Sequence, residues 1–328
     1  MKKGKTEPGI TAVNYHFTRK CNFSCGFCFH TAKSSHVESL ENSKSIILQL
    51  RMRGARKINF AGGEPFLPQY KDLLGEMVKY AKEIGYESVS IISNGYYVSR
   101  EFFEKYAPFL DILGVSCDST SDAVNKRIGR GVSGQPGRVR AAAALCREFG
   151  VKFKLNTVVN AFNKDEDMSE FVRTVNPVRW KVFQVLSLEG ENKGTGSKRD
   201  VIPFLISSSE FQEYVSRHKI HRDVAEMMRV EDNTTMQASY ILIDEYGRFL
   251  DSSTGGKIPT ESILKVGVDA AYAQLIQSSG GGYDDQSFKR RDGTYSIGPT
   301  WSRDEPTCCG KSGDGVHNSV TDIEDILG

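Results

Sequence analysis

An α/β fold built on a parallel sheet is predicted by three features of the sequence. Short β-rich runs alternate six times with helical patterns between residues 11 and 190. The helical stretches carry apolar residues three and four apart. The chain of 328 residues, 39% of them hydrophobic, is long and apolar enough to bury a substantial core. Right-handed crossovers either curl six such units into a partial barrel or lay them out as an open doubly wound sheet, and both arrangements put functional loops at the C-terminal ends of the strands.

The strands are expected, in order, at "TAVNYHF", "KINFAG", "SVSIISN", "DILGVSC", "VKFKLNTVV" and "RWKVFQVLSL", each short and ending near Gly, Asn, Cys or Ser. Between them, "KSIILQLRMRG", "YKDLLGEMVKYAKEIG", "REFFEKYAPFL", "GRVRAAAALCREFG" and "DEDMSEFVRTV" read as amphipathic helices. After residue 205 the rhythm changes to a helix ("SSSEFQEYVSRHK"), a polar stretch, a hairpin ("SYILIDEYGRFLDSS", turning near Gly247) and another helix. The final segment, rich in Gly, Ser, Asp and Arg, is expected to be irregular and in part disordered. No internal repeat exists beyond the βα rhythm.

With 43 basic and 41 acidic residues the formal charge is +2, so no global field points to nucleic acid or an anionic membrane. No apolar stretch approaches the roughly 18 residues of a membrane span, and the start "MKKGKTEPG" lacks the apolar region of a secretory signal. A monomeric cytoplasmic protein without membrane insertion is expected. Its seven cysteines are an odd number, and three of them, Cys21, Cys25 and Cys28, suit a metal better than a disulfide framework.

Three thiolates are one short of a closed four-ligand site. His16, His30 or His36 could complete a zinc site; buried packing on one helix face is the bland alternative; an iron-sulfur cluster is the third. Asn22, Ser24 and Gly26 favour a loop, which weakens the packing reading.

Directly after a first strand, the C-x3-C-x2-C order of Cys21, Cys25 and Cys28 resembles the cluster motif of radical S-adenosylmethionine enzymes. The resemblance implies a partial (βα)6 TIM-like barrel with an irregular C-terminal extension, and a 4Fe-4S cluster whose fourth iron is chelated by S-adenosylmethionine. It implies cleavage of the sulfonium bond by an electron from an external donor, and a 5′-deoxyadenosyl radical that abstracts hydrogen from substrate. It also makes Phe27 a backbone contact to the adenine.

After the second strand comes "AGGEP", where Gly62 and Gly63 allow close backbone approach and Glu64 can accept hydrogen bonds from an ammonium group. Alone this is an ordinary turn; by the resemblance it is the methionine-amine loop. The same resemblance makes Asn94, Ser116 and Arg130 contacts to the ribose and carboxylate of the cofactor.

A period of two puts Lys154 with Asn156, and Arg179 with Lys181, on shared strand faces. Pointing into a lumen together with Lys57, these cations would be costly without an anion; at strand ends their heads would simply reach water. Over residues 11 to 295, "KCNFSCGFCFHTAK", "KINFAGGEPF", "NPVRWKVFQ", "EGEN" and "SYILIDEYGRFL" resemble the viperin family of antiviral radical enzymes. This implies a bound ribonucleoside triphosphate, contacted by Asn14, Lys57, Lys154, Asn156, Arg179, Lys181, Tyr240 and Arg291. The implied reaction takes the ribose 4′ hydrogen of CTP or UTP and expels the 3′ hydroxyl, giving the 3′-deoxy-3′,4′-didehydro nucleotide. Tyr240 is the catalytic candidate, delivering a hydrogen atom or holding the ribose.

The resulting organisation is a tail (1–10), a barrel (11–190), a substrate-capping segment (191–295) and an irregular tail (296–328). Animal members of that family carry a membrane-binding helix before the barrel, which this sequence does not support, and end in a tryptophan read by the iron-sulfur assembly machinery, a further expected partner. Cys117 and Cys146 are expected in the core and Cys308 with Cys309 as an incidental pair. Two competing readings are a radical enzyme acting on a peptide or other metabolite, and a non-catalytic zinc-stabilised interaction module.

Overall fold

The computed structural model describes residues 10–131, 133–236, 239–281 and Tyr283. The six expected strands all form: β1 (Ala12–Thr18), β2 (Lys57–Gly62), β3 (Ser88–Ser93), β4 (Ile112–Ser116), β5 (Lys152–Val159) and β6 (Arg179–Gln184). They pair parallel in chain order. The connecting helices are α1 (Leu40–Met52), α2 (Lys71–Glu83), α3 (Arg100–Tyr106), α4 (Asp122–Ile128), α5 (Gln135–Glu148) and α6 (Ser169–Val175).

Helix α1 starts earlier than its apolar pattern, because Ser39 caps it by accepting a hydrogen bond from the Asn42 N–H. Helix α4 has too few apolar residues to be read from periodicity. It is defined by its ends: Ser121 accepts from the Val124 N–H, and Gly129 closes the last turn at φ 81°.

The sheet is larger than six strands. Its ten-stranded order is β10-β9-β8-β1-β2-β3-β4-β5-β6-β7. The expected C-terminal helix is α7 (Ser208–Lys219), held by a Ser207/Glu210 capping box. The stretch after it, expected to be merely polar, forms α8 (Arg222–Met227) and strand β7 (Met228–Glu231), which extends the sheet parallel to β6. The expected hairpin forms as β8 (Leu242–Ile243) and β9 (Arg248–Asp251), with Gly247 at φ 67°. Strand β8 docks parallel to β1, and β10 (Ile258–Ser262) completes that edge. Among the described residues, edges β10 and β7 do not pair, so the sheet is not closed.

The two faces of the sheet differ. In register, Val13, Tyr15, Ile58, Phe60, Leu155 and Trp180 turn one way and join the helices in the apolar core. Burying each such side chain contributes about 1.5–3 kcal/mol. The alternate residues face the other way: Asn14 aligns with Asn59, Ser116 with Asn156, Asn156 with Lys181, and Lys154 with Arg179. The lumen face is polar and cationic.

Cys117 and Cys146 lie in the core as expected. Arg291, Cys308, Cys309 and the terminal tail lie outside the described residues, as do residues 1–9.

Candidate functional site

The three thiols sit on the loop that follows β1. No helix forms there, which removes the helix-face packing reading. The loop is gripped from behind by the end of α4: the Ser24 N–H donates to Gly129 O at 3.1 Å and the Gly26 N–H to Ile128 O at 3.2 Å. A side chain at Gly129 would strike the Ser24 carbonyl. Thus "IGRG" is a clamp that delivers Arg130 to the cysteines.

Cys25 is buried, and that burial pushes its thiol up to about 11, with Cys28 adding to the shift and Arg130 opposing it. Cys21 lies within electrostatic reach of both Cys25 and Cys28. Among the described residues, however, no three His, Cys, Asp or Glu side chains converge tightly enough to hold a single metal ion. Three thiolates on one loop can each take an iron corner of a cubane.

The histidines do not join the thiols in such a site. His36 pairs with Glu38 at 2.9 Å and stacks on Tyr246 at 4.3 Å. His16 and His30 meet edge to face at 4.4 Å, with Lys257 Nζ 3.2 Å from His30 Nδ1.

The Ala61–Pro65 loop leans on the start of the cysteine loop. The Gly63 N–H donates to Thr18 O and the Glu64 N–H to Lys20 O, both at 2.8 Å. A Cβ at Gly63 would overlap the Arg19 and Lys20 carbonyls. Gly62, at φ 146°, lies as close to Thr18. Glu64 is wholly buried and organises loops: it accepts from the Phe66 N–H (3.0 Å), the Ser93 hydroxyl (2.7 Å) and the Asn94 N–H (2.7 Å). Burial raises its carboxyl to about 6 against those bonds.

Asn94 reaches Asn22 Oδ1 at 2.8 Å and lies 3.9 Å from Cys21 Sγ. Gln135 ties together the Asn94 and Ser116 carbonyls at 2.5 and 3.3 Å. Arg130 pairs with buried Asp118 at 2.5 Å and lies over the Phe27 ring at 5.5 Å. Phe27 is packed against Phe204, and Asn192 holds its carbonyl at 3.1 Å. The expected cofactor contacts Phe27, Gly62, Gly63, Glu64, Asn94, Ser116 and Arg130 thus come from the loops and last strand residues at the sheet's C-terminal end, where donors and acceptors fit a polar zwitterion.

Below them, on the lumen face, Lys57, Lys154, Arg179 and Lys181 act on one another across strands. Burial lowers the Lys57 ammonium well below an ordinary lysine, and Lys154, Arg179 and Lys181 lower it further. Lys154 is lowered likewise by burial and by Lys181, with Glu231 opposing. Asn156 Oδ1 is buried without a hydrogen-bond partner among the described residues, while Asn14 Oδ1 accepts from Asn59 at 2.6 Å. Lys181 donates to the Tyr240 hydroxyl oxygen at 2.8 Å.

Several organising residues carry no motif of their own. Arg19 donates to Glu245 at 2.9 Å and to Glu191 at 3.0 Å, and Glu191 also accepts from the Thr31 N–H at 3.0 Å. "EGEN" and "DEYGRFL" therefore brace the cysteine loop, Glu191 at both ends and Glu245 at its start, which gives physical content to two segments quoted for their resemblance. Asp118 and Asn192 lay inside segments quoted for their resemblance but were not singled out, and Glu231 gave no sequence signal.

The model of the radical SAM superfamily matches residues 15–175. The chain is 45% identical over 308 residues to the S-adenosylmethionine-dependent nucleotide dehydratase RSAD2 of Danio rerio, covering 92% of this chain and 82% of that protein. It is 35% identical over 298 residues to the S-adenosylmethionine-dependent nucleotide dehydratase of Flammeovirga pacifica, covering 87% and 96%. Among solved structures, anSMEcpe with bound AdoMet aligns with a TM-score of 0.61 at 15% identity, covering 86% of this chain and 84% of that one. Streptococcus suis SuiB bound to precursor peptide SuiA aligns at 0.58 and 18% identity, covering 87% and 67%. At such identities the likeness is one of fold.

Proposed function

Because this chain belongs to the S-adenosylmethionine-dependent nucleotide dehydratases, within the radical SAM superfamily, we propose that its cationic lumen holds a pyrimidine ribonucleoside triphosphate, CTP or UTP. The enzyme uses a 4Fe-4S cluster and S-adenosylmethionine. Cys21, Cys25 and Cys28 hold the cluster, and Phe27, Gly62, Gly63, Glu64, Asn94, Ser116 and Arg130 surround the cofactor. When bound, these groups supply one-electron chemistry, drawn from an external donor, that yields a hydrogen-abstracting radical.

The observation that carries the substrate reading is the gathering of Lys57, Lys154, Arg179 and Lys181 on one face of the sheet, Lys154 in register with Arg179, where burial first and the neighbouring cations next lower Lys57 and Lys154. Buried like charges are costly, and a triphosphate bearing about four negative charges relieves that cost while fixing the sugar by point-charge and bidentate contacts. Asn14, Asn156 and Tyr240 line the same face and would orient the ribose, so that its 4′ hydrogen is exposed to abstraction and its 3′ hydroxyl leaves as water. Arg291 is assigned to the triphosphate by family resemblance alone.

Anaerobic reconstituted enzyme, given dithionite, S-adenosylmethionine and one triphosphate at a time, should form 5′-deoxyadenosine in quantity with CTP or UTP alone. Formation independent of nucleotide defeats the reading. Lys154→Ala and Arg179→Ala should raise KM for the nucleotide about tenfold or more, by losing charged hydrogen bonds; unchanged turnover would instead favour a peptide or another metabolite.

A further inference from the structure

Glu231 is a buried carboxylate on a face otherwise rich in cations. Strand β7 pairs with β6 so that Glu231 stands opposite Phe183 and Arg229 opposite Lys181. The period of two then turns Glu231 toward the lumen, where it is 2% exposed. Its carboxylate takes the Lys181 ammonium and the hydroxyl hydrogen of Tyr240.

A negative side chain here weakens the attraction for any polyanion, so its presence calls for a compensating effect on its neighbours. Two effects are visible. Burial drives Lys181 toward the neutral amine and Arg179 pushes the same way, whereas Glu231 opposes both. The Tyr240 hydroxyl, donating to Glu231 and accepting from Lys181, is fixed in one orientation.

We propose that Glu231 is a positioning residue of the nucleotide site, holding the Lys181 ammonium and the Tyr240 hydroxyl in place so that both meet an incoming ribonucleoside triphosphate preorganised. The inference rests on the reading of the lumen as a nucleotide site. Among the described residues, the charged and titratable groups that act on Lys181 include Glu231 from β7, Arg179 from β6, Lys154 from β5, Lys57 from β2, and Tyr240. The Arg229 guanidinium turns away to the Glu226 and Met228 carbonyls.

The test compares the holoenzyme with Glu231→Gln, Glu231→Asp and Tyr240→Phe. CTP and UTP binding is followed by calorimetry from neutral to alkaline pH, together with the ratio of 5′-deoxyadenosine to nucleotide product. In Glu231→Gln the alkaline loss of affinity should begin at lower pH by about one unit, equivalent to a tenfold change in affinity at a fixed alkaline pH. Uncoupled 5′-deoxyadenosine should rise about threefold or more as the sugar loses its fixed position. Glu231→Asp should restore both properties.

A folded Glu231→Gln enzyme with the wild-type pH profile and ratio overturns the proposal. Should that variant not fold, Tyr240→Phe decides: it must raise the ratio, and a wild-type ratio overturns the proposal. Wild-type enzyme that neither binds a triphosphate nor depends on one sinks the nucleotide reading, and this inference with it, before any variant is compared.

Discussion

Arg19 and Glu245, 226 positions apart in the chain, form a buried ion pair in which the guanidinium Nε lies 2.9 and 3.0 Å from the two carboxylate oxygens. Glu191 takes the same guanidinium through Nη1. The loop carrying the thiols is therefore held by carboxylates from two distant segments rather than by its own sequence.

Removing either carboxylate leaves a buried charge short of a partner. Glu245→Ala should destabilise the protein by about 3–5 kcal/mol, read by denaturant unfolding, and lower the iron bound per chain on reconstitution. Full stability and full iron loading would show that the pair merely decorates the loop.

Gly63→Ala tests the close approach of the Ala61–Pro65 loop to Arg19 and Lys20. Backbone cannot yield as a flexible side chain can, so a loss of about 1–3 kcal/mol is expected, with weaker S-adenosylmethionine binding by equilibrium dialysis. Gly256→Ala, which meets open space, is the control.

Asp118→Asn removes the counter-charge of Arg130, whose guanidinium pairs with Asp118 and lies within electrostatic reach of Cys25. Affinity for S-adenosylmethionine should fall about tenfold or more, and the cluster's electron-paramagnetic signal with bound cofactor should change. An unaltered affinity would exclude Arg130 from the cofactor contacts.

Triphosphate binding should take up protons. Lys57 and Lys154 are depressed in the free protein by burial and by neighbouring cations, and an anion among them raises both. Affinity should therefore fall as pH rises above neutral. Calorimetry in buffers of different ionisation enthalpy measures the uptake; proton release would contradict the arrangement.

His218 predicts acid sensitivity. It is buried and neutral, accepting from the Met168 N–H at 2.9 Å through Nε2, with Nδ1 2.8 Å from Tyr214 O, and burial lowers its pKa. Below the unfolded value of about 6.5 the unfolded chain binds the proton more readily. Stability should then drop by up to about 1.4 kcal/mol per pH unit from this group. His218→Gln should flatten that slope in urea unfolding between neutral and mildly acidic pH.

Much of this was legible locally. The thiol spacing, the glycines of the Ala61–Pro65 loop and the period-two pairs Lys154/Asn156 and Arg179/Lys181 are all short-range patterns, and they fell on the elements they implied. Strand β7 was not legible, because "MRVE" is short, half polar and stabilised by an edge that only β6 supplies. The clamp formed by α4 escaped for a related reason: its start and stop rest on single capping residues.

Taken by itself, the sequence determined which chemical groups are available and the repeat on which each is displayed: three thiols in a loop, and cations at alternate strand positions. Tertiary structure alone decided which charges neutralise one another, bringing Glu245 and Glu191 to Arg19, Asp118 to Arg130 and Glu231 to Lys181. Side-chain periodicity is set by covalent geometry over a few residues, whereas electrostatic pairing depends on distance through space, which no short stretch of chain encodes.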